Sequence, residues 1–188
     1  MGTLVVTAFI SLDGVVQAPG GEEFRHANWT FDFDRGEDGE RFKEDEALGA
    51  DALLIGRRTY EGFAKAWPEY EGELADKYNG MPKYVVSRTL TDPTWNNTRV
   101  LSGDVPTEVT RLKQEIAGEI QVPGSIQLVH ELLAADLVDE IHLMTFPVIL
   151  GTGRRLFGEM PDKSRWRLTR SETFGEGIPV TVYQRDLR

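Results

Sequence analysis

Asp51-Ala52-Leu53-Leu54-Ile55-Gly56-Arg57-Arg58-Thr59-Tyr60-Glu61-Gly62-Phe63 is the stretch on which the reading of this chain turns. Four apolar residues, Ala52, Leu53, Leu54 and Ile55, make a short buried-strand pattern that stops at Gly56. Two arginines and a threonine follow, and then a pattern that suits a helix. A helix that starts straight from a strand leaves its first N–H groups without partners. Those groups, the positive end of the helix dipole and two guanidiniums would point the same way, which makes an anion site. A phosphate-bearing ligand is therefore expected at residues 56–59.

Working outward, residues 4–12 form an apolar, β-rich run closed by Asp13-Gly14, a turn signal. Residues 15–33 are a long connection rich in glycine, proline and aromatics, a length that often marks function. Residues 34–48 read as a surface helix with Phe42 and Leu48 on its apolar side, and a short polar helix is expected at 74–78. Strands are expected at 83–87, 99–101, 119–122 and 141–149. Helices are expected at 106–117, with Thr107 as N-cap, and at 126–137. After Leu150-Gly151-Thr152-Gly153 two alternating runs, Trp166–Phe174 and residues 179–185, are joined by Gly175-Glu176-Gly177. Strand and helix alternate and a two-strand tail follows, which predicts an α/β fold with a largely parallel sheet and a terminal antiparallel hairpin. No linker or repeat interrupts the pattern, so residues 1–188 are expected to form one domain.

The bulk numbers narrow the partners. With 188 residues, 40% of them apolar and 28% charged, the chain has the composition of a globular protein. Its formal charge of −10 argues against nucleic acid or an anionic membrane as partner. No run approaches about 18 apolar residues, so no membrane span is expected. The chain opens without signal-peptide features, and a cytoplasmic protein is the simple expectation. Zero cysteines remove disulfides, thiolate catalysis and cysteine-type zinc sites together. His26, His130 and His142 stand apart from one another, and no metal site is expected.

Three places share one layout, a strand ending in small or polar residues that open a helix or loop. They are Gly56-Arg57-Arg58-Thr59, Ser87-Arg88-Thr89 and Gly124-Ser125-Ile126-Gln127. Ligands of open α/β sheets collect beyond the carboxyl ends of the strands. Arginine suits phosphate because its planar fork donates two hydrogen bonds at once. Any one of the three is also what an ordinary cap or turn provides; their coincidence points to a ligand with several phosphates, such as a dinucleotide. Neither a Gly-x-Gly-x-x-Gly after a strand nor a Walker-type loop is present, which disfavours Rossmann and P-loop folds. No Gly-x-Ser-x-Gly elbow marks a serine hydrolase. Trp29, Phe31 and Phe33 bracket Asp32 and Asp34. Aromatics beside carboxylates suit a flat heterocycle, with a carboxylate as acceptor or proton source, although the same aromatics also suit packing of the loop on the core.

Taken together, these residues resemble the dihydrofolate reductase-like superfamily, in the branch that includes the reductase domain of the bifunctional riboflavin-biosynthesis deaminase-reductase. The resemblance covers nearly the whole chain. It rests on Ile10-Ser11-Leu12-Asp13-Gly14, on Leu54 with Ile55-Gly56-Arg57-Arg58-Thr59-Tyr60-Glu61, and on Gly124-Ser125. It rests above all on Leu137-Val138-Asp139-Glu140 followed by Phe146-Pro147-Val148-Ile149-Leu150-Gly151-Thr152-Gly153 and Leu156-Phe157. The resemblance implies a three-layer αβα fold, with a mixed, mostly parallel sheet ending in an antiparallel hairpin, and NADPH as cofactor. By similarity Arg57, Arg58 and Thr59 would hold phosphates, and Ser87, Arg88 and Thr89 the adenosine end with its 2′-phosphate. Gly124, Ser125, Ile126 and Gln127 would let backbone approach the pyrophosphate, and Ala8, Val16 and Gln17 would border the nicotinamide. Asp32 or Asp34 lies near the place of the family's pterin-binding acid. The implied activity is hydride transfer from NADPH to a small heterocyclic, ribosylaminopyrimidine- or pterin-like substrate. The alternative is a non-catalytic nucleotide- or heterocycle-binding homodimer of the same fold.

Overall fold

A computed structural model of the protein describes residues 1–20 and 23–186. Eight strands and five α-helices follow in the order β1 (Thr3–Ser11), α1 (Gly36–Gly49), β2 (Ala52–Gly56), α2 (Arg57–Ala66), α3 (Glu73–Gly80), β3 (Lys83–Val86), β4 (Thr98–Leu101), α4 (Val105–Glu115), β5 (Glu119–Pro123), α5 (Ile126–Ala134), β6 (Glu140–Phe146), β7 (Trp166–Phe174) and β8 (Ile178–Arg185). They form one sheet in the order β4-β3-β2-β5-β1-β6-β8-β7. The first six strands in this order are parallel, and β8 runs antiparallel to both β6 and β7. This is the mixed, mostly parallel three-layer arrangement expected from the sequence.

The apolar run of β2 is continuous because both faces of the strand are covered. Leu54 joins Val6, Ile120 and Val122 under Val109, Leu112, Val129 and Leu132 of α4 and α5. Leu53 and Ile55 face the opposite layer, where Ala47 of α1, Tyr60 of α2 and Tyr78 of α3 close over them. A third apolar group, Trp29, Met144, Phe146, Ile178 and Val180, fills the space where β6 and β8 meet the first loop. Each fully buried aliphatic or aromatic side chain contributes about 1.5–3 kcal/mol relative to exposure.

Element ends depart from expectation for identifiable reasons. Helix α4 is capped by Asp104, whose Oδ2 accepts from the N–H (3.1 Å) and hydroxyl (2.6 Å) of Thr107; Thr107 is therefore inside the helix and is not its N-cap. Helix α5 stops at Ala134, three residues early. Asp136 turns left-handed (φ 60°), and the N–H groups of Asp136 and Leu137 return to the carbonyls of Leu133 and Leu132. That is a Schellman ending formed without glycine. Strand β6 ends at Phe146 because Pro147 has no N–H for the ladder. The long first connection contains a 3-10 turn at Trp29–Asp32, and its residues 21 and 22 lie outside the described residues.

Candidate functional site

Strands β3, β2 and β5 are neighbours, so the three polar endings noted in the sequence share one edge of the sheet. Helices α2 and α5 start side by side there, and a single serine joins them. The N–H of Gly56 donates to Ser125 Oγ at 2.9 Å, and the N–H of Ser125 donates to Thr59 Oγ1 at 3.1 Å. The Ser125 hydroxyl also lies 3.1 Å from Thr59 Oγ1 and 3.2 Å from the carbonyl of Pro123. Ser125 is the N-cap residue of α5 but makes no side-chain cap to its own helix, and Gly56 at the start of α2 has no side chain to offer. Both first turns thus lack a side-chain cap from their N-cap residues, and the two helix dipoles meet at one place.

Gly124 and Ser125 are both left-handed, at φ 59° and 53°. A Cβ on Gly124 would come within 3.3 Å of Thr59 Oγ1. Glycine is required there both for the backbone angle and for the close approach of two chain segments. The Gly56 and Ser125 N–H groups are taken by the Ser125 and Thr59 hydroxyls, and the first-turn N–H groups of α2 and α5 beyond them are the donors that a phosphate could meet.

Three arginines, Arg57, Arg58 and Arg88, lie in the segments that follow β2 and β3. Arg57 donates to Glu61 Oε1 at 2.7 Å and to Thr89 Oγ1 at 2.6 Å, which ties the start of α2 to the loop after β3. Arg58 is exposed and has no hydrogen-bond or ion-pair partner among the described residues. Arg88 is exposed, and its charge helps, behind the hydrogen bonds from Thr107, to lower the Asp104 carboxyl. The Ser87 hydroxyl is buried in a turn, accepting from the N–H groups of Thr89 and Leu90 at 3.2 and 3.0 Å. Of these three arginines, Arg58 and Arg88 have no hydrogen-bond or ion-pair partner among the described residues. Ile126 is a core residue, and Gln127 is exposed in the first turn of α5.

On the other side of β5, the loops after β1 and β6 face the same edge. Ala8 is half-buried on β1, and Val16 is buried in the main core. Gln17 accepts from Arg154 N through Oε1 (3.0 Å) and from the Trp29 indole through its carbonyl (2.9 Å). Among the described residues, then, Gln17 has its side-chain oxygen and its carbonyl already engaged.

The aromatic–carboxylate stretch does not form one wall. Trp29 is 3% exposed and stands edge-on to Phe146 at 5.5 Å, so it is a core residue. Phe33 also leans on Phe146, at 5.8 Å, whereas Phe31 is 73% exposed. Asp32 is exposed at the end of the 3-10 turn. Asp34 opens α1 instead, with Oδ1 accepting from Gly36 N at 2.7 Å and its carbonyl accepting from Glu176 N at 3.0 Å.

A second polar group was not foreseen. Beneath α1, His142 Nδ1 meets Glu46 Oε1 at 2.7 Å and Nε2 meets Glu140 Oε2 at 3.1 Å. Lys43 bonds Glu46 and, at 2.6 Å, the Thr7 hydroxyl. A ring with a carboxylate at each nitrogen satisfies both only as imidazolium. Burial works against that charge, but Glu46 and Glu140 outweigh it and raise the His142 pKa. Burial likewise would raise the Glu46 carboxyl, yet Lys43 and His142 hold it down at about 2. The group borders a groove of about 460 Å³ between α1 and the β7–β8 hairpin, lined also by Asp38, Phe42, Glu119 and Arg170. The only trace of it in the sequence is a histidine inside the apolar alternation of β6 and the three-residue spacing of Lys43 and Glu46.

Comparison with known proteins agrees with this architecture. The profile of the RibD C-terminal domain matches residues 2–180. The uncharacterized protein YwjB of Bacillus subtilis (strain 168) is 27% identical over 173 residues, covering 91% of each chain. Among solved structures, a Shewanella sp. PV-4 protein with a provisional riboflavin-biosynthesis name superposes with a TM-score of 0.79 at 21% identity, covering 98% of this chain and 99% of its own. Dihydrofolate reductase from Enterococcus faecalis, solved with NADP(H), reaches 0.63 at 16% identity, covering 98% and 96%. The chain is therefore a member of the RibD C-terminal domain family, built on the dihydrofolate reductase fold.

Proposed function

We propose that the protein is an NADPH-dependent reductase acting on a small heterocycle of the ribosylaminopyrimidine or pterin type. The observation that carries this reading is the Ser125 junction, which brings two helix starts without side-chain caps together, with Arg58 and Arg88 in the segments that follow β2 and β3. There the N–H groups at the start of α2 and around Gly124 and Ser125 would hold the diphosphate, and the two arginines would hold the additional 2′-phosphate. Bound NADPH supplies a hydride. The chain's own contribution is to bind, orient and shield from water: Thr59 and Ser125 fix the two helix starts, and the loops after β1 and β6 close the far end. NADPH oxidation followed by absorbance, with ribosylaminopyrimidine, dihydropterin and dihydrofolate offered in turn, tests the reading. Substrate-dependent oxidation with one of them is expected.

The placement of Asp34 favours a second reading, binding without turnover. Its carboxylate is engaged by the start of α1, through Gly36 N. NADPH binding with no oxidation of any of the three substrates would select it.

A further inference from the structure

The sheet order places β1 and β6 next to β5 on the side away from β2 and β3. β1 runs four residues past Thr7, the partner of Pro123, and its end Ser11 pairs with Phe146, so the loops after β1 and β6 rise roughly 15 Å from the Ser125 junction. A dinucleotide whose phosphates rest at β2 and β5, and whose phosphorylated half meets Arg58 and Arg88, must send its other half over these two loops. The loops are interlocked. Leu12 N donates to Val148 O (2.8 Å), Val16 N to Arg154 O (3.0 Å) and Leu156 N to Gly14 O (3.0 Å).

One carboxylate sits at the centre of the lock. Asp13 Oδ1 accepts from the Ser11 hydroxyl (2.7 Å) and Leu150 N (3.1 Å), and Oδ2 accepts from Gly151 N (2.9 Å). Its carbonyl accepts from Arg155 Nε at 2.9 Å, and Ser11 Oγ accepts in turn from Val15 N at 2.9 Å. Gly153 completes the fit, since a Cβ there would lie 2.6 Å from Val15 Cγ1.

We infer that Asp13 is a positioning residue for the nicotinamide end of the cleft, clamping the loop after β6 onto the loop after β1 so that the segment carrying Val16 and Gln17 is held in one arrangement for the ligand. This rests on the cofactor reading above, and the clamp itself does not. The Ser11 hydroxyl, with the Leu150 and Gly151 N–H groups, outweighs burial and holds the Asp13 carboxyl at about 2, so the clamp is charged at every ordinary pH. Asp13→Asn keeps the shape but sets an amide N–H₂ against the Gly151 N–H, or against Ser11 and Leu150 if flipped.

The test measures amide exchange without ligand, then binding of NADPH and of adenosine 2′,5′-bisphosphate, which carries only the adenosine half. In Asp13→Asn the Leu150 and Gly151 amides should exchange at least about tenfold faster. The NADPH dissociation constant should rise about tenfold, with the bisphosphate changed less than about twofold. Ser11→Ala, which removes one donor, should shift both readouts the same way by less, and carries the test if Asp13→Asn does not fold. Unchanged exchange at Leu150 and Gly151 overturns the clamp. Equal weakening of NADPH and bisphosphate overturns the positioning role, because it would mean a general loss of structure. Faster exchange in a protein that never binds NADPH supports the clamp and removes the cofactor reading alone.

Discussion

The Ser125 junction and the Glu46–His142 group are two polar constructions on one sheet, and they are built in opposite ways. At Ser125 the polar atoms are mostly backbone N–H groups, side-chain caps are missing from both helices, and two arginines stand without strong partners. Beneath α1, Lys43 and His142 stand against Glu46 and Glu140, while Glu119 on the same groove is a further carboxylate, pushed up by burial, whose Oε1 has no partner among the described residues. The first has arginines without carboxylate partners; in the second, Lys43, His142, Glu46 and Glu140 compensate one another. Under the proposed function, that difference would put ligand binding at the first and the holding of α1 at the second, although the second has the larger concentration of titratable groups.

The widest test of this contrast is to unbalance the self-neutralised group. Glu46→Ala leaves Lys43 and His142 buried without their carboxylate, and removing one member of a buried ion pair costs about 3–5 kcal/mol. Urea unfolding should show that loss, while the NADPH dissociation constant of the folded fraction stays within about threefold. A matching loss of NADPH affinity would mean that the two constructions are one site.

Acid probes the same group. Because the folded Glu46 pKa is lowered from 4.5 to about 2, its stabilisation is complete above pH 4.5 and is lost as pH falls toward 2. The loss is on the order of 3 kcal/mol, shared with its coupled partners. His142 has the opposite sign. Its raised pKa stabilises fully below pH 6.5, and that contribution fades as pH rises through the folded value. Unfolding free energies of wild type and Glu46→Gln between pH 7 and 3 should converge as the acid window is entered. Parallel curves would remove Glu46 from the account.

At the junction, the expected stability effects are smaller. Gly124→Ala should cost about 1–2 kcal/mol for the left-handed backbone. It should weaken NADPH binding about tenfold as the junction loses its close approach. Loss of stability with unchanged affinity would make Gly124 a turn residue only.

How much of this could be read in advance follows the range of the interactions. The β2–α2 unit was legible because its apolar run, its glycine and the change of period all lie within a dozen neighbouring residues. Gly124-Ser125 was legible as a helix opening. That the Ser125 hydroxyl reaches Gly56 and not its own helix depends on β5 lying beside β2, a tertiary fact. Trp29, Phe31 and Phe33 alternate as strand residues would, but a 3-10 turn has three residues per turn, so positions two apart diverge. The Glu46–His142 contact joins residues 96 apart in sequence, and the histidine within β6 and the Lys43–Glu46 spacing do not say that they meet. The early end of α5 escaped because its left-handed residue is Asp136, where glycine is the usual sign.

The central claim is that the edge of the sheet at Ser125 binds a dinucleotide with an extra phosphate. Dissociation constants for NADPH and NADH, measured by fluorescence on wild type and on Arg58→Ala/Arg88→Ala, address it directly. Tighter binding of NADPH than of NADH by at least about tenfold in wild type, with that preference lost in the double variant and stability changed by less than about 0.5 kcal/mol, is the predicted result. Equal, weak binding of both cofactors to wild type would contradict it.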